Sequence, residues 1–385
     1  MRALNRLLCV GLCAAAVLGG CSKDKSEKPA VLVPLTNRID IKTVWHTKLG
    51  GEKPILRLGL GVAVDDQRAF AASYKGSVAA FEVASGKELW QRSLRAPLSA
   101  GPAAGDGLVV IGSSKGDVIA LAEQDGAPRW RVRINAEILS APAIGDGLVI
   151  VRGVDGKLHG LSAKDGGENW VIDQQVPRLS LRGSSRPIVV GDLAICGFDN
   201  GRVVAVSVGN GSSAWEAAVG QSHGSTELQR LIDIDASVVA DGDDLFAVAY
   251  QGRVARLSRD SGQIGWARDL SSYRGLAVDA NAVYVSTAEG DLVRLDRRTG
   301  IEQWRQKSLE RRQLSAPVVY RGRIVVGDLA GVVHWFDAAT GDPIARVSIG
   351  KQRVSTPPVV AGDLLMVFGD NGELNALRAP ALETK

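Results

Sequence analysis

Cysteine, histidine and helical periodicity are all scarce in this sequence, and each scarcity removes a class of protein. Its four cysteines are Cys9, Cys13, Cys21 and Cys196. The first three fall within or at the end of an N-terminal targeting segment, so Cys196 stands alone in the mature chain and no internal disulfide is available. It lies in the apolar run Leu193-Ala194-Ile195-Cys196 and reads as a buried structural thiol rather than a nucleophile. The histidines, His46, His159, His223 and His334, are scattered without metal-ligand spacing, so no metal site is expected. Neither sign of charge is in surplus: 46 Lys+Arg against 42 Asp+Glu leaves +4 over 385 residues. That balance supplies no basic field for nucleic acid. No segment sustains a 3.6-residue apolar stripe, which argues against a solenoid of helical pairs.

What is abundant is glycine, 45 residues of it, and it recurs on a ruler. In Ser114–Trp130, turn glycine Gly116 precedes an apolar run, a second glycine, Gly126, follows after ten residues, and Trp130 after fourteen. The same spacing joins Gly76, Gly86 and Trp90; Gly156, Gly166 and Trp170; Gly201, Gly211 and Trp215; Gly252, Gly262 and Trp266; and Gly290, Gly300 and Trp304. Two partial copies follow, at Gly331 and Gly341 with Ala345 in the tryptophan position, and at Gly372. A period of about 40 residues marks repeat architecture. Each copy reads as four short strands, in the second Ser99–Ala104, Leu108–Gly112, Val118–Ala122 and Pro128–Val132, joined by Asp-Gly or Asn-Gly type turns.

The expected fold is therefore all-β, an eight-bladed β-propeller of four-stranded antiparallel blades. The eighth unit lacks an outer strand, whereas Ile41–His46 offers an orphan strand carrying Trp45. Pairing it onto Gly372–Arg378 would close the ring and remove an open sheet edge. Trp45, Trp90, Trp130, Trp170, Trp215, Trp266 and Trp304 occupy equivalent outer-strand places, which favours packing between blades over ligand binding. Trp335 is placed to refill the gap at Ala345.

The N-terminus reads as an address. Arg2 and Arg6 precede the apolar run Leu7–Leu18, and Leu18-Gly19-Gly20-Cys21 looks like a bacterial lipobox, with an ordinary cleaved signal as the rival reading. The resulting organisation is a signal peptide over 1–20, lipidated Cys21 and a flexible tether over 21–40, one propeller over 41–379, and a tail over 380–385. With Arg2 and Arg6 removed, membrane attachment rests on the lipid. Ser22 after the cysteine implies outer-membrane sorting in such lipoproteins.

A search for catalytic groups finds none. Gly112-Ser113-Ser114-Lys115-Gly116 matches G-x-S-x-G but lies on a hairpin without the following helix a nucleophile elbow needs. Leu58-Gly59-Leu60-Gly61 lacks a full phosphate-cradle pattern. Loop length is more informative. From each blade tryptophan to the next inner strand the chain takes about 12 residues after Trp90 and Trp130, about 17 after Trp170 and about 24 after Trp215. The first enlarged connection carries Val176-Pro177-Arg178-Leu179-Ser180-Leu181-Arg182-Gly183. The second carries Glu227, Arg230, Asp233 and Asp235. Both emerge on one face, where two leucines rimmed by charge would suit a protein partner. In the competing reading the leucines tuck under their loops and the charges are solvated.

Signal, lipobox, blade repeat, Val176–Gly183 and Arg230-Leu231-Ile232-Asp233-Ile234-Asp235 together resemble the BamB family of outer-membrane protein assembly factors, along essentially the whole chain. That resemblance implies a non-enzymatic lipoprotein without cofactor, anchored in the outer membrane and facing the periplasm. It further implies docking to the POTRA domains of BamA in the β-barrel assembly machinery and contact with unfolded outer-membrane protein substrates. The partner-binding positions it carries over are Leu179, Leu181, Arg182, Asp233 and Asp235. Alternatives are an adaptor for another envelope complex, or a quinone-cofactor (PQQ-type) dehydrogenase on the same propeller. The latter family uses calcium, a carboxylate cluster and an adjacent cysteine pair, and this chain has no Cys-Cys.

Overall fold

The computed structural model describes residues 28–50, 59–177, 179–220 and 231–381. The expected signal peptide, Cys21, Arg178, Glu227 and Arg230 lie outside the described residues. Within them every regular element is a strand, and the strands form eight sheets arranged as blades. Blade 2 shows the pattern, with strands Leu98–Gly105, Leu108–Ser113, Asp117–Ala122 and Pro128–Arg133 pairing in sequence order. These agree with the expected strands to within a residue at most ends. Blade 8 is built from Val359–Ala361, Leu364–Phe368 and Glu373–Arg378, completed by Lys42–Lys48 from the other end of the chain. In that closing pair Trp45 stands opposite Ala376. The closure leaves no blade short of an outer strand. One pairing has no counterpart in the repeat: Gly59–Leu60 adds to the inner strand of blade 2 in parallel, with Gly59 opposite Ala100.

The landmarks of the repeat turn out to serve the seam between blades. Each of the seven equivalent tryptophans donates its indole N–H to a backbone carbonyl of the following blade, as in Trp90 to Glu123 at 2.9 Å and Trp45 to Val83 at 2.8 Å. The ring then lies against the second turn glycine of that blade. A Cβ on Gly126 would stand 2.6 Å from the Trp90 ring, and one on Gly86 2.5 Å from Trp45. Gly126 also has φ +69°, a left-handed conformation that side chains other than glycine's resist. Thus Gly126 and Trp130, close in sequence, belong to different seams: Gly126 receives Trp90, and Trp130 reaches Gly166.

The seam between blades 7 and 8 is the exception. Ala345 offers no ring, and Trp335, directly across the sheet from it, is 0% exposed. Trp335 packs edge-on to Tyr320 and joins Ala345, Leu377 and Ala379 in one core cluster. Its indole N–H finds no acceptor among the described residues, unlike those of the other seven. The volume is refilled from a neighbouring strand, but the inter-blade hydrogen bond is not.

The later part of the tether expected over 21–40 is bound to the propeller. From Ala30 onward the segment is laid across blade 7: Ala30 N–H donates to Glu310 O, Arg38 N–H to Ile344 O, and Asn37 bonds Arg346 in both directions. Leu32, Ile39 and Ile41 pack against the cores of blades 6 to 8, and these apolar residues are what the charge-rich reading of the segment overlooked. Arg312 donates to Ala30 O while held by the buried Asp328 carboxylate at 2.6 Å.

The seam can be tested by a double-mutant cycle in urea. Gly126→Ala should cost roughly 3 kcal/mol, combining backbone strain with the collision against Trp90. In a Trp90→Ala background, itself destabilised, the same change should cost only about 1 kcal/mol, since strain alone remains.

Candidate functional site

The two enlarged connections leave the outer strands Glu168–Asp173 of blade 3 and Ser213–Ala218 of blade 4, and the fold brings them together. The Leu181 N–H donates to Asp233 Oδ2 at 3.0 Å. A Cβ on Gly183 would lie 2.5 Å from Asp235 Oδ1, so only glycine permits this approach of loop to carboxylate. Just after, Ser185 Oγ donates to Ala236 O at 2.9 Å. The second loop is itself seated firmly: Leu231, Ile232 and Ile234 are buried, and Tyr250 N–H donates to Asp233 O at 2.7 Å.

A third connection joins them. Arg182 makes a two-pronged ion pair with Glu137, on the short link between blades 2 and 3, at 2.8 and 3.1 Å. Consecutive blades are thereby lashed along one face. Upon this base Leu179 is 43% exposed, Val176 is exposed beside it, and Leu181 is half-buried. Arg182 is about half exposed despite its partner. Because that pair is wet, its contribution to stability is modest, and its fixed geometry matters more.

Asp233 differs from the other expected site residues, being 0% exposed. Removal from water, then the neighbouring charges of Asp235 and Asp199, push its carboxyl up to about 8, with the Leu181 amide and Arg152 offsetting part of the rise. Beneath the loops Arg152 and Asp199 form a buried pair at 3.0 Å, with the guanidinium over the Phe198 ring at 4.4 Å. One buried cation thus serves several carboxyls, and the balance favours the protonated form of Asp233 at neutral pH. It clasps the Leu181 backbone as a neutral group and presents no surface of its own.

Comparison with known proteins decides the family. The family described as "Outer membrane protein assembly factor BamB" matches residues 36–97, 74–306 and 288–383. A protein of that name from Pseudomonas aeruginosa is 47% identical over 364 residues, covering 94% of this chain and 96% of its own. That from Escherichia coli K12 is 35% identical over 388 residues, covering 97% of this chain and 99% of its own. The chain belongs to the BamB family of outer-membrane protein assembly factors. The crystal structure of BamB from Moraxella catarrhalis superposes with a TM-score of 0.81 at 29% identity, covering 88% of this chain and all of that one. Quinohemoprotein alcohol dehydrogenase from Comamonas testosteroni gives a TM-score of 0.69 at 13% identity, covering 92% of this chain and 80% of its own. This likeness shows the shared propeller alone. The BamB assignment, rather than the fold, is what disfavours the dehydrogenase alternative.

Within this BamB family member the expected residues Leu179, Leu181, Arg182, Asp233 and Asp235 do converge, but in different capacities. Leu179 and Arg182 face outward, Leu181 is shared between surface and loop interior, and Asp233 is internal. Asp235 lines a cavity of about 130 Å³ with Arg182, Tyr273 and Arg274. Glu137 was not legible in the sequence, since it sits on a connection of ordinary length.

The Asp233 reading predicts a pH dependence. A carboxyl raised above its ordinary value stabilises the fold while protonated, fully below about pH 4, and that contribution is lost as pH rises towards 8. Asp233→Asn mimics the neutral form and retains an acceptor for Leu181. Urea melts between pH 5 and 8.5 should therefore show a flatter stability profile for the variant than for wild type. Parallel profiles would mean that Asp233 is already ionised.

Proposed function

We propose that this chain is a non-enzymatic docking scaffold of the outer-membrane β-barrel assembly machinery. It is held at the outer membrane through lipid on Cys21 and faces the periplasm. Its partner is the POTRA region of BamA, and by holding that region it assists delivery and insertion of unfolded outer-membrane proteins. The observation that carries the reading is the clasp between Leu181 and Asp233, which holds an exposed leucine and an arginine at fixed positions on a rigid ring. A protein partner meeting such a surface loses little entropy in ordering it, and an aliphatic anchor beside arginine suits a helical or strand-edge surface with a carboxylate. BamB relatives carry the same functional name over nearly their full length. The dehydrogenase alternative has nothing comparable in its favour, as the chain carries no adjacent cysteine pair.

Capture of the BamA POTRA region by purified protein tests this directly. Leu179→Ala/Arg182→Ala should weaken capture at least tenfold while leaving the melting curve close to wild type, since both side chains are half exposed. Glu137→Gln separates two roles for Arg182: weakened capture identifies a guanidinium that must be prepositioned, and unchanged capture one that reaches the partner unaided. Undiminished capture by the folded double variant would remove the proposed surface.

A further inference from the structure

The repeat that exposes the docking loops also exposes an exception inside the ring. Fifteen residues before each of the eight turn glycines lies a residue at the start of an inner strand or just ahead of it, or, in blade 2, within it, one per blade (Gly116 − 15 = Gly101, Gly201 − 15 = Arg186). Three equivalents are glycines, Gly61, Gly101 and Gly275, and two are alanines, Ala141 and Ala316; Ser237 and Pro357 complete the set. All eight positions line the two adjoining cavities, about 220 and 560 Å³, that make up the central channel. Seven are small or neutral, and the eighth is Arg186, which borders both cavities.

Arg186 has neither an ion pair nor a side-chain hydrogen bond among the described residues. Its side chain is exposed to the channel, and partial removal from water by the channel walls lowers its pKa from the ordinary arginine value. Among the described residues the smaller cavity is lined by no carboxylate; it offers hydroxyls at Ser140, Ser184, Ser237 and Thr356. Asp235 is the one carboxylate among the described residues lining the larger cavity, which is also lined by Arg274. A guanidinium within low-dielectric walls concentrates field along the axis, and its planar fork matches the two oxygens of a carboxylate or phosphate.

The geometry points to a binding site for a small oxyanion in the central channel, with Arg186 as its fork and the neighbouring hydroxyls as further donors. This site adjoins the docking surface on the rim, since Asp235 lines it too, but its fork Arg186 is not one of the docking residues. The small residues of the other seven blades leave this volume open in front of the guanidinium.

Calorimetric titration of the full chain with inorganic phosphate and, separately, with citrate, each at fixed ionic strength, tests the site. Saturable binding of at least one of them, one per chain, is expected for wild type, with at least a tenfold loss in Arg186→Gln. Because no described protein group bonds this guanidinium, the unliganded variant should melt as wild type does, so loss of binding would not reflect unfolding. Which anion binds more tightly distinguishes a phosphate from a carboxylate ligand. Absence of saturable binding by both, or equal binding by wild type and Arg186→Gln, would overturn the assignment.

Discussion

The structure depends on a tryptophan ring laid against a glycine of the next blade. A propeller blade contacts only its neighbours, so the ring is as rigid as its seams. Each seam is fixed by the burial of an indole, by one hydrogen bond from it, and by a turn that admits the ring only where Cβ is missing. Geometry repeated seven times leaves the blades little freedom to splay. The seam between blades 7 and 8 has a different construction, with Trp335 filling volume without the inter-blade bond, and the N-terminal segment bound over blade 7 lies beside it.

That rigidity is what makes a fixed surface out of two loops. Neither enlarged connection is a regular element, and a lone loop with exposed leucine would collapse or wander. Here the rim holds three connections at fixed spacing, and short-range bonds finish the work: Leu181 to Asp233, Gly183 against Asp235, Arg182 to Glu137. A buried carboxyl that keeps its proton makes a clasp with no net charge to solvate. It thereby avoids the penalty of burying another anion beside Asp199.

The blade count and ring closure were legible in the sequence because one interaction recurs at fixed spacing. The loops were legible as departures from that spacing, and Leu179 and Arg182 as residue types unusual for them. Three features were hidden for physical reasons. Glu137 acts across a blade boundary from an unremarkable turn, and nothing local to it records its partner. Asp233 looked like a surface charge, since burial of a single residue depends on the neighbouring blade, here through Tyr250. The bound segment from Ala30 carries only sparse apolar residues, too few to signal packing until blade 7 is placed beneath them.

The central claim is that the rim formed by the blade 3 to 4 and 4 to 5 connections is the face that meets BamA. The most direct measurement is site-specific photo-crosslinking in intact cell envelopes, from position 179 and from position 243, an exposed hairpin position at the opposite end of the blades. The account predicts BamA crosslinks from 179 and none from 243. Crosslinks from 243 with none from 179 would contradict it.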